Sequence, residues 1–167
     1  MKGSGVAVVF GTRPEIIKLS PVIRLLRKLK KPHVIIHTGQ HYSYAMDRLF
    51  FKQLELPMPD YRLAQGMESV NNQGEQTARM MVGLEKVLDR EKPRIVLVQG
   101  DTNSVLAAAL VVSKMPGILL GHVEAGLRSF DRTMPEELNR LLCDHVADFL
   151  FAPTRNSEEL LWKEGID

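Results

Sequence analysis

The sequence predicts an α/β domain of the Rossmann-like kind, a parallel sheet with helices on both faces. Three observations predict it. Short, apolar, β-branched runs recur along the 167 residues, and segments with apolar residues at helical spacing alternate with them. The runs are continuous rather than alternating, which is how strands read when both of their faces are covered. Finally, small, charged and hydrogen-bonding residues gather just after the runs, beyond the carboxyl ends of the strands, where such sheets bind ligands.

The elements follow in order. Val6–Phe10 reads as a buried strand ending at Gly11. Thr12-Arg13-Pro14-Glu15 opens a helix: Thr12 caps it, Pro14 suits its first turn and Glu15 completes a capping box. Ile16, Ile17, Leu19, Val22, Ile23, Leu25, Leu26 and Leu29 keep its apolar face until Lys30-Lys31-Pro32 ends it. Val34–Ile36 is a second strand, followed by a short helix through Tyr44–Lys52 and an irregular stretch with Pro57 and Pro59. A third helix spans Gly74–Arg90, Ile95–Val98 is the third strand, and an almost wholly apolar helix covers Val105–Val112. Pro116-Gly117 breaks that helix before the strand Ile118–Val123. Thr133-Met134-Pro135-Glu136 reads as a second capping box, Phe149–Phe151 as a fifth strand, and Glu158–Lys163 as a closing helix that Thr154 starts.

Composition sets bounds. With 44% hydrophobic and 25% charged residues, the chain is an average globular one that can bury a core. A dispersed net charge of +2 gives no reason to expect nucleic-acid or membrane-surface binding. No apolar run approaches the about 20 residues that cross a bilayer. No secretory signal is visible before Val6, and Cys143, the sole cysteine, cannot form an internal disulfide. Both features predict a reducing, cytoplasmic setting, and the apolar neighbours of Cys143 predict a buried thiol.

There is no G-x-G-x-x-G fingerprint, no P-loop and no metal-ligand spacing, so NAD, ATP and metals are not expected and no cofactor is predicted. Arg13 is a cation at the wrong end of a helix dipole, which argues for an anionic ligand such as a diphosphate; Lys18 in the second turn could add charge. Gln40 and His41 end the second strand with two hydrogen-bonding side chains, although His41 could equally be a surface histidine. Asp101 is either a helix N-cap or a site carboxylate. Strand alternation places His122 and Glu124 on one face, and charged groups straight after a buried strand need partners. A Glu124–Arg128 ion pair stapling the loop is the structural alternative to a functional role. Glu136 taken alone is half of a capping box.

Taken together, Gly-Thr-Arg-Pro-Glu (11–15), Thr-Gly-Gln-His (38–41), Gly-Asp-Thr (100–102), His-Val-Glu-Ala-Gly-Leu-Arg (122–128) and Pro-Glu-Glu-x-Asn-Arg (135–140) closely resemble the non-hydrolysing UDP-N-acetylglucosamine 2-epimerases. That family interconverts UDP-GlcNAc and UDP-ManNAc in a cleft between two Rossmann-like halves of a GT-B fold. The resemblance implies that residues 1–167 are one Rossmann-like domain, the amino-terminal half, and that the carboxyl-terminal UDP-binding domain is absent. It implies catalytic roles for Asp101, Glu124 and Glu136, and substrate-binding roles for Arg13, Lys18, His122 and Arg140. Gln40, His41 and Met46 resemble a segment that helps hold a second, regulatory UDP-GlcNAc. The implied partners are a UDP-sugar, the missing domain and a second copy in a homodimer.

The reaction implied is elimination of UDP to a 2-acetamidoglucal and re-addition on the other face. Carboxylates flanking the sugar would stabilise charge at C1, and one would take the C2 proton. Crowding three of them would raise at least one pKa. Two other readings share these motifs: a non-catalytic nucleotide-sugar binding or dimerisation module, and the amino-terminal half of a GT-B glycosyltransferase.

Overall fold

The computed structural model describes residues 5–40, 44–63 and 72–166; within these, the side chains of 44–48 are left aside. Strands and helices alternate as β1 (Val6–Phe10), α1 (Arg13–Lys28), β2 (His33–His37), α2 (Tyr44–Gln53), β3 (Tyr61–Arg62), α3 (Gln73–Glu91), β4 (Ile95–Gln99), α4 (Asn103–Val112), β5 (Leu119–Val123), α5 (Pro135–Val146), β6 (Phe149–Phe151) and α6 (Arg155–Lys163). All the strands pair in parallel, in the order β3-β2-β1-β4-β5-β6. This is the doubly wound arrangement, and its switch point lies between β1 and β4.

One strand escapes the sequence. β3 has two residues, too few to show a period, and follows a proline-bearing stretch; it is fixed at the edge by the pairing of Tyr61 with Ile36 and by Asp60, whose carboxylate accepts the Ile35 N–H at 2.8 Å.

Alternation along β1 divides the core between the two faces. Ala7 and Val9 pack with Met80 and Leu84 of α3, Ala108 of α4 and Cys143 of α5. Val8 and Phe10 pack on the other side with Ile16, Leu19 and Ile23 of α1 and Phe51 of α2. α4 is apolar all round because α3 and α5 flank it while its remaining side meets the sheet. Cys143 is fully buried, as its neighbours predict.

Helix starts set the loops at the carboxyl ends. The capping box of α1 forms as expected from Thr12 and Glu15. The hydroxyls of Thr102 and Thr154 accept the N–H groups of Val105 and Ser157 to cap α4 and α6. Gly11 ends β1 where no larger residue fits: a Cβ there would lie 2.0 Å from Ser104 Oγ and 2.2 Å from Thr38 Oγ1. Those two hydroxyls bond each other at 2.7 Å, joining the ends of β2 and α4 directly behind the switch point.

Candidate functional site

A depression of about 230 Å3 opens over the carboxyl ends of β1, β4 and β5, at the switch point. Lys18, Asp101, Glu124 and Arg140 line it together with Glu15 and Gln99. Four of the residues singled out in the sequence therefore meet, brought from four segments spread over 123 positions of chain (18 to 140).

Glu124 leaves the strand. Its φ of 73° is left-handed, so alternation stops at Val123 and the side chain swings to the α1 side. There its carboxylate accepts both bonds from Lys18 Nζ, at 2.7 and 2.9 Å, and another from the Gln99 amide. The alternative reading, a loop staple to Arg128, does not form. Arg128 instead bonds Asp144 at 2.7 Å and Glu164 at 2.6 Å.

Asp101 pairs with Arg140 Nη2. The N-cap of α4 is Thr102, so Asp101 has no capping duty and its carboxylate stands at the depression. Asn139, nearly buried, donates to the Asp101 carbonyl at 2.8 Å and fixes this turn from below. Asp101 and Glu124 thus each have their own cation rather than being crowded against each other. Among the described residues, the carboxyl group raised above its ordinary pKa is Glu15: burial pushes it up, against the lowering effect of bonds from the Gly11 and Thr12 N–H groups and the Thr102 hydroxyl.

Several sequence expectations are corrected. His122 does not present itself to ligand: it is fully buried, with Nδ1 at 2.6 Å from Asp144 and Nε2 at 2.7 Å from the Gly100 carbonyl. It also parts from Glu124, since it meets α5 on one face while Glu124 meets α1 on the other. Arg13 stays outside the lining; its guanidinium lies over the Phe50 ring, 5.6 Å from the centroid. Gln40 turns inward, its side-chain oxygen accepting the Ser104 N–H and hydroxyl, each at 2.9 Å. His41 lies outside the described residues, and Met46 lies in α2 with its side chain outside them.

The second capping box is also corrected. Met134 is the N-cap of α5, and Thr133 turns back to Asp131, which accepts from both its N–H and its hydroxyl. The acid at the third helical position is Glu137, not Glu136. Glu137 is 2% exposed, accepts the N–H groups of Ser129 and Phe130, and holds Arg140 Nη1 at 2.9 Å. Burial raises its pKa, but those N–H bonds and Arg140 outweigh it and push the group down to about 2. Glu136 stands exposed at the second position and outside the depression's lining. Glu137→Ala is therefore expected to cost roughly 1–3 kcal/mol through unsatisfied buried donors. Glu136→Ala should stay within about 0.5 kcal/mol, as an exposed substitution without a partner does. Thermal melts of the two variants check this; equal losses would contradict the assignment.

Relatives share this architecture. The family model for UDP-N-acetylglucosamine 2-epimerase matches residues 25–167. The chain belongs to that family. It is 58% identical over 161 residues to a UDP-N-acetylglucosamine 2-epimerase of Methanococcus maripaludis, covering 96% of this chain and 42% of the relative. It superposes with a TM-score of 0.91 and 56% identity on the crystal structure of the Methanocaldococcus jannaschii UDP-GlcNAc 2-epimerase in complex with UDP-GlcNAc and UDP, covering 97% of this chain and 44% of that one. A Pseudomonas aeruginosa UDP-2,3-diacetamido-2,3-dideoxy-D-glucuronate 2-epimerase is 44% identical over 164 residues, covering 97% of this chain and 45% of the relative. The chain thus spans less than half the length of these relatives. Among the described residues, no helix is long and apolar enough to cross a membrane.

Proposed function

We propose that this epimerase-family chain supplies the carboxylate-bearing half of an enzyme that inverts C2 of UDP-GlcNAc to give UDP-ManNAc. The observation that carries the reading is the meeting of Lys18–Glu124 and Arg140–Asp101 in one depression at the switch point. Breaking the C1–O bond leaves positive charge at C1, which a carboxylate beside the ring stabilises, while the departing diphosphate needs cations. Asp101, Glu124 and the exposed Glu136 are the proposed proton-handling and charge-stabilising groups. Lys18, Arg140 and, from the start of α1, Arg13 are the proposed partners of the anion. A carboxyl-terminal UDP-binding domain completes the cleft, and the two-domain protein works as a cytoplasmic homodimer. The Pseudomonas relative supports a second substrate, a UDP-diacetamido uronate, on the same C2 chemistry. The greater identity to UDP-GlcNAc epimerases favours the first.

The test joins the chain at Asp167 to the part of the M. jannaschii relative that lies beyond its matched region. The 167 residues alone should give no UDP-ManNAc from UDP-GlcNAc. The hybrid should give it, with deuterium entering C2 in D2O. Turnover by the chain alone would overturn the two-half reading, and sugar transfer to an acceptor would favour a glycosyltransferase. Binding without product would favour a non-catalytic module.

A further inference from the structure

His122 and Asp144 are both 0% exposed, lie behind the depression and are not part of its lining. Both ring nitrogens of His122 face acceptors: Nδ1 meets Asp144 Oδ1 and Nε2 meets the Gly100 carbonyl oxygen. A carbonyl can only accept, and Asp144 is ionised: it pairs with the Arg128 guanidinium at 2.7 Å, and although burial raises its pKa, the bonds from His122, Arg128 and the Gly126 N–H outweigh that and hold it below the ordinary carboxylate value. A neutral imidazole donates from one nitrogen only, so satisfying both contacts requires the imidazolium. One buried carboxylate therefore grips two loops. Through His122 it holds Gly100, the residue before Asp101; directly, it holds Gly126, two residues after Glu124. Arg128, which also pairs with Glu164, fastens the second loop further.

We propose that Asp144 and the His122 imidazolium are positioning residues that hold the two carboxylate-bearing loops, 100–102 and 124–126, in one fixed register. The importance of that register rests on the reading that Asp101 and Glu124 act on substrate; the latch itself is tested without turnover. Both loops have left-handed backbone within the grip, at Gly100 (φ 81°), Glu124 (φ 73°) and Gly126 (φ 78°). Glycine adopts such a φ freely, but Glu124 holds it only where the surroundings over-determine it. Adding a Cβ at Gly126 would bring it 2.3 Å from the Ser157 carbonyl, so that loop is also pressed against α6.

Nitrogen-15 NMR of the 167-residue chain tests the latch. At about pH 7, His122 should show protons on both ring nitrogens; a single-proton tautomer would overturn the proposal. In Asp144→Asn, one of the two ring protons should be lost. The amides of Gly100–Asp101 and of Glu124–Gly126 should then shift together, while those of β1 and β2 stay in place. Unchanged loop amides in a folded variant would overturn it. Where the variant fails to fold, an alkaline titration of the wild-type chain decides. Loss of the second ring proton should move both loops in step. The groups facing this ring are Asp144 and Cys143, with Arg128 and Glu164 beyond them. Deprotonation with both loops unmoved would overturn the proposal. Turnover of the hybrid stands apart: a latch confirmed by NMR beside an inactive hybrid would fault the functional reading alone.

Discussion

Glu124→Gln in the joined two-domain protein is expected to lower turnover on the order of 100-fold or more, the usual contribution of a positioned group that handles a proton. The fold should hardly notice. The Lys18–Glu124 pair has side chains 50% and 25% exposed, and ion pairs this open contribute about 0–1 kcal/mol. Glutamine keeps an oxygen able to accept from Lys18. The backbone at position 124 supplies a second variant. A φ of 73° is unfavourable for any residue with a Cβ, and glycine would adopt it at no steric cost. Glu124→Gly should thus melt within about 1 kcal/mol of the wild type, while losing at least as much turnover as the glutamine variant. Melts beside steady-state kinetics decide: wild-type turnover in Glu124→Gln would return the residue to a surface ion pair.

The sequence made the sheet legible because its strands are apolar throughout and its helices are punctuated by Pro, Gly and Thr caps. It made half the site legible for a related reason. Asp101 and Glu124 follow buried strands directly, where charge is conspicuous. α5 misleads by inversion. Its apolar residues Leu138, Leu142 and Val146 form a helical stripe that reads as the buried side, yet they are 38%, 47% and 36% exposed. The side turned inward carries Glu137, Asn139 and Asp144 beside Cys143. Glu137 is satisfied by the loop just before the helix, at Ser129 and Phe130, and Asn139 and Asp144 by partners 16 to 38 residues away, so helix period alone assigns all three to solvent. A signal was nonetheless present in the number of acceptors that a turn-rich loop with left-handed residues demands. The same distance in sequence hid the partner of His122, because no spacing rule joins a strand histidine to an aspartate 22 residues later. Glu137 lies one helical position after Glu136, the acid that the capping-box pattern predicts.

Asp144→Asn is expected to produce the largest stability loss of any single carboxylate change in the domain, about 3–5 kcal/mol. Its side chain is fully buried among three donors: His122, the Gly126 N–H and Arg128. Asparagine keeps the shape but brings one oxygen and an NH2 group, so one of those donors must face another donor; the His122 imidazolium loses its charge partner, and Arg128 keeps only Glu164. For a domain of this length, the loss corresponds to a fall in Tm on the order of 10 °C. The pH dependence sharpens the expectation. Burial works against the charged His122 ring, yet its bonds to Asp144 and Cys143 outweigh burial and raise it from 6.5 to about 10. A raised folded-state value means that its contribution is fully present below about pH 6.5 and is lost as pH climbs to about 10. Asp144 moves the other way. Burial raises it, but the His122 bond and charge, with Arg128, outweigh burial and lower it below 3.8. Its contribution is therefore present above that value and is lost as acid protonates it. The two windows overlap between about pH 4 and 6.5, where the wild-type advantage over Asp144→Asn should be greatest, and the advantage should shrink steadily toward pH 10. Urea unfolding of both proteins at about pH 5.5 and pH 9.5 measures it. A difference below about 1 kcal/mol at the lower pH, or one that grows with alkalinity, would show that the buried pair does not hold these loops together by charge.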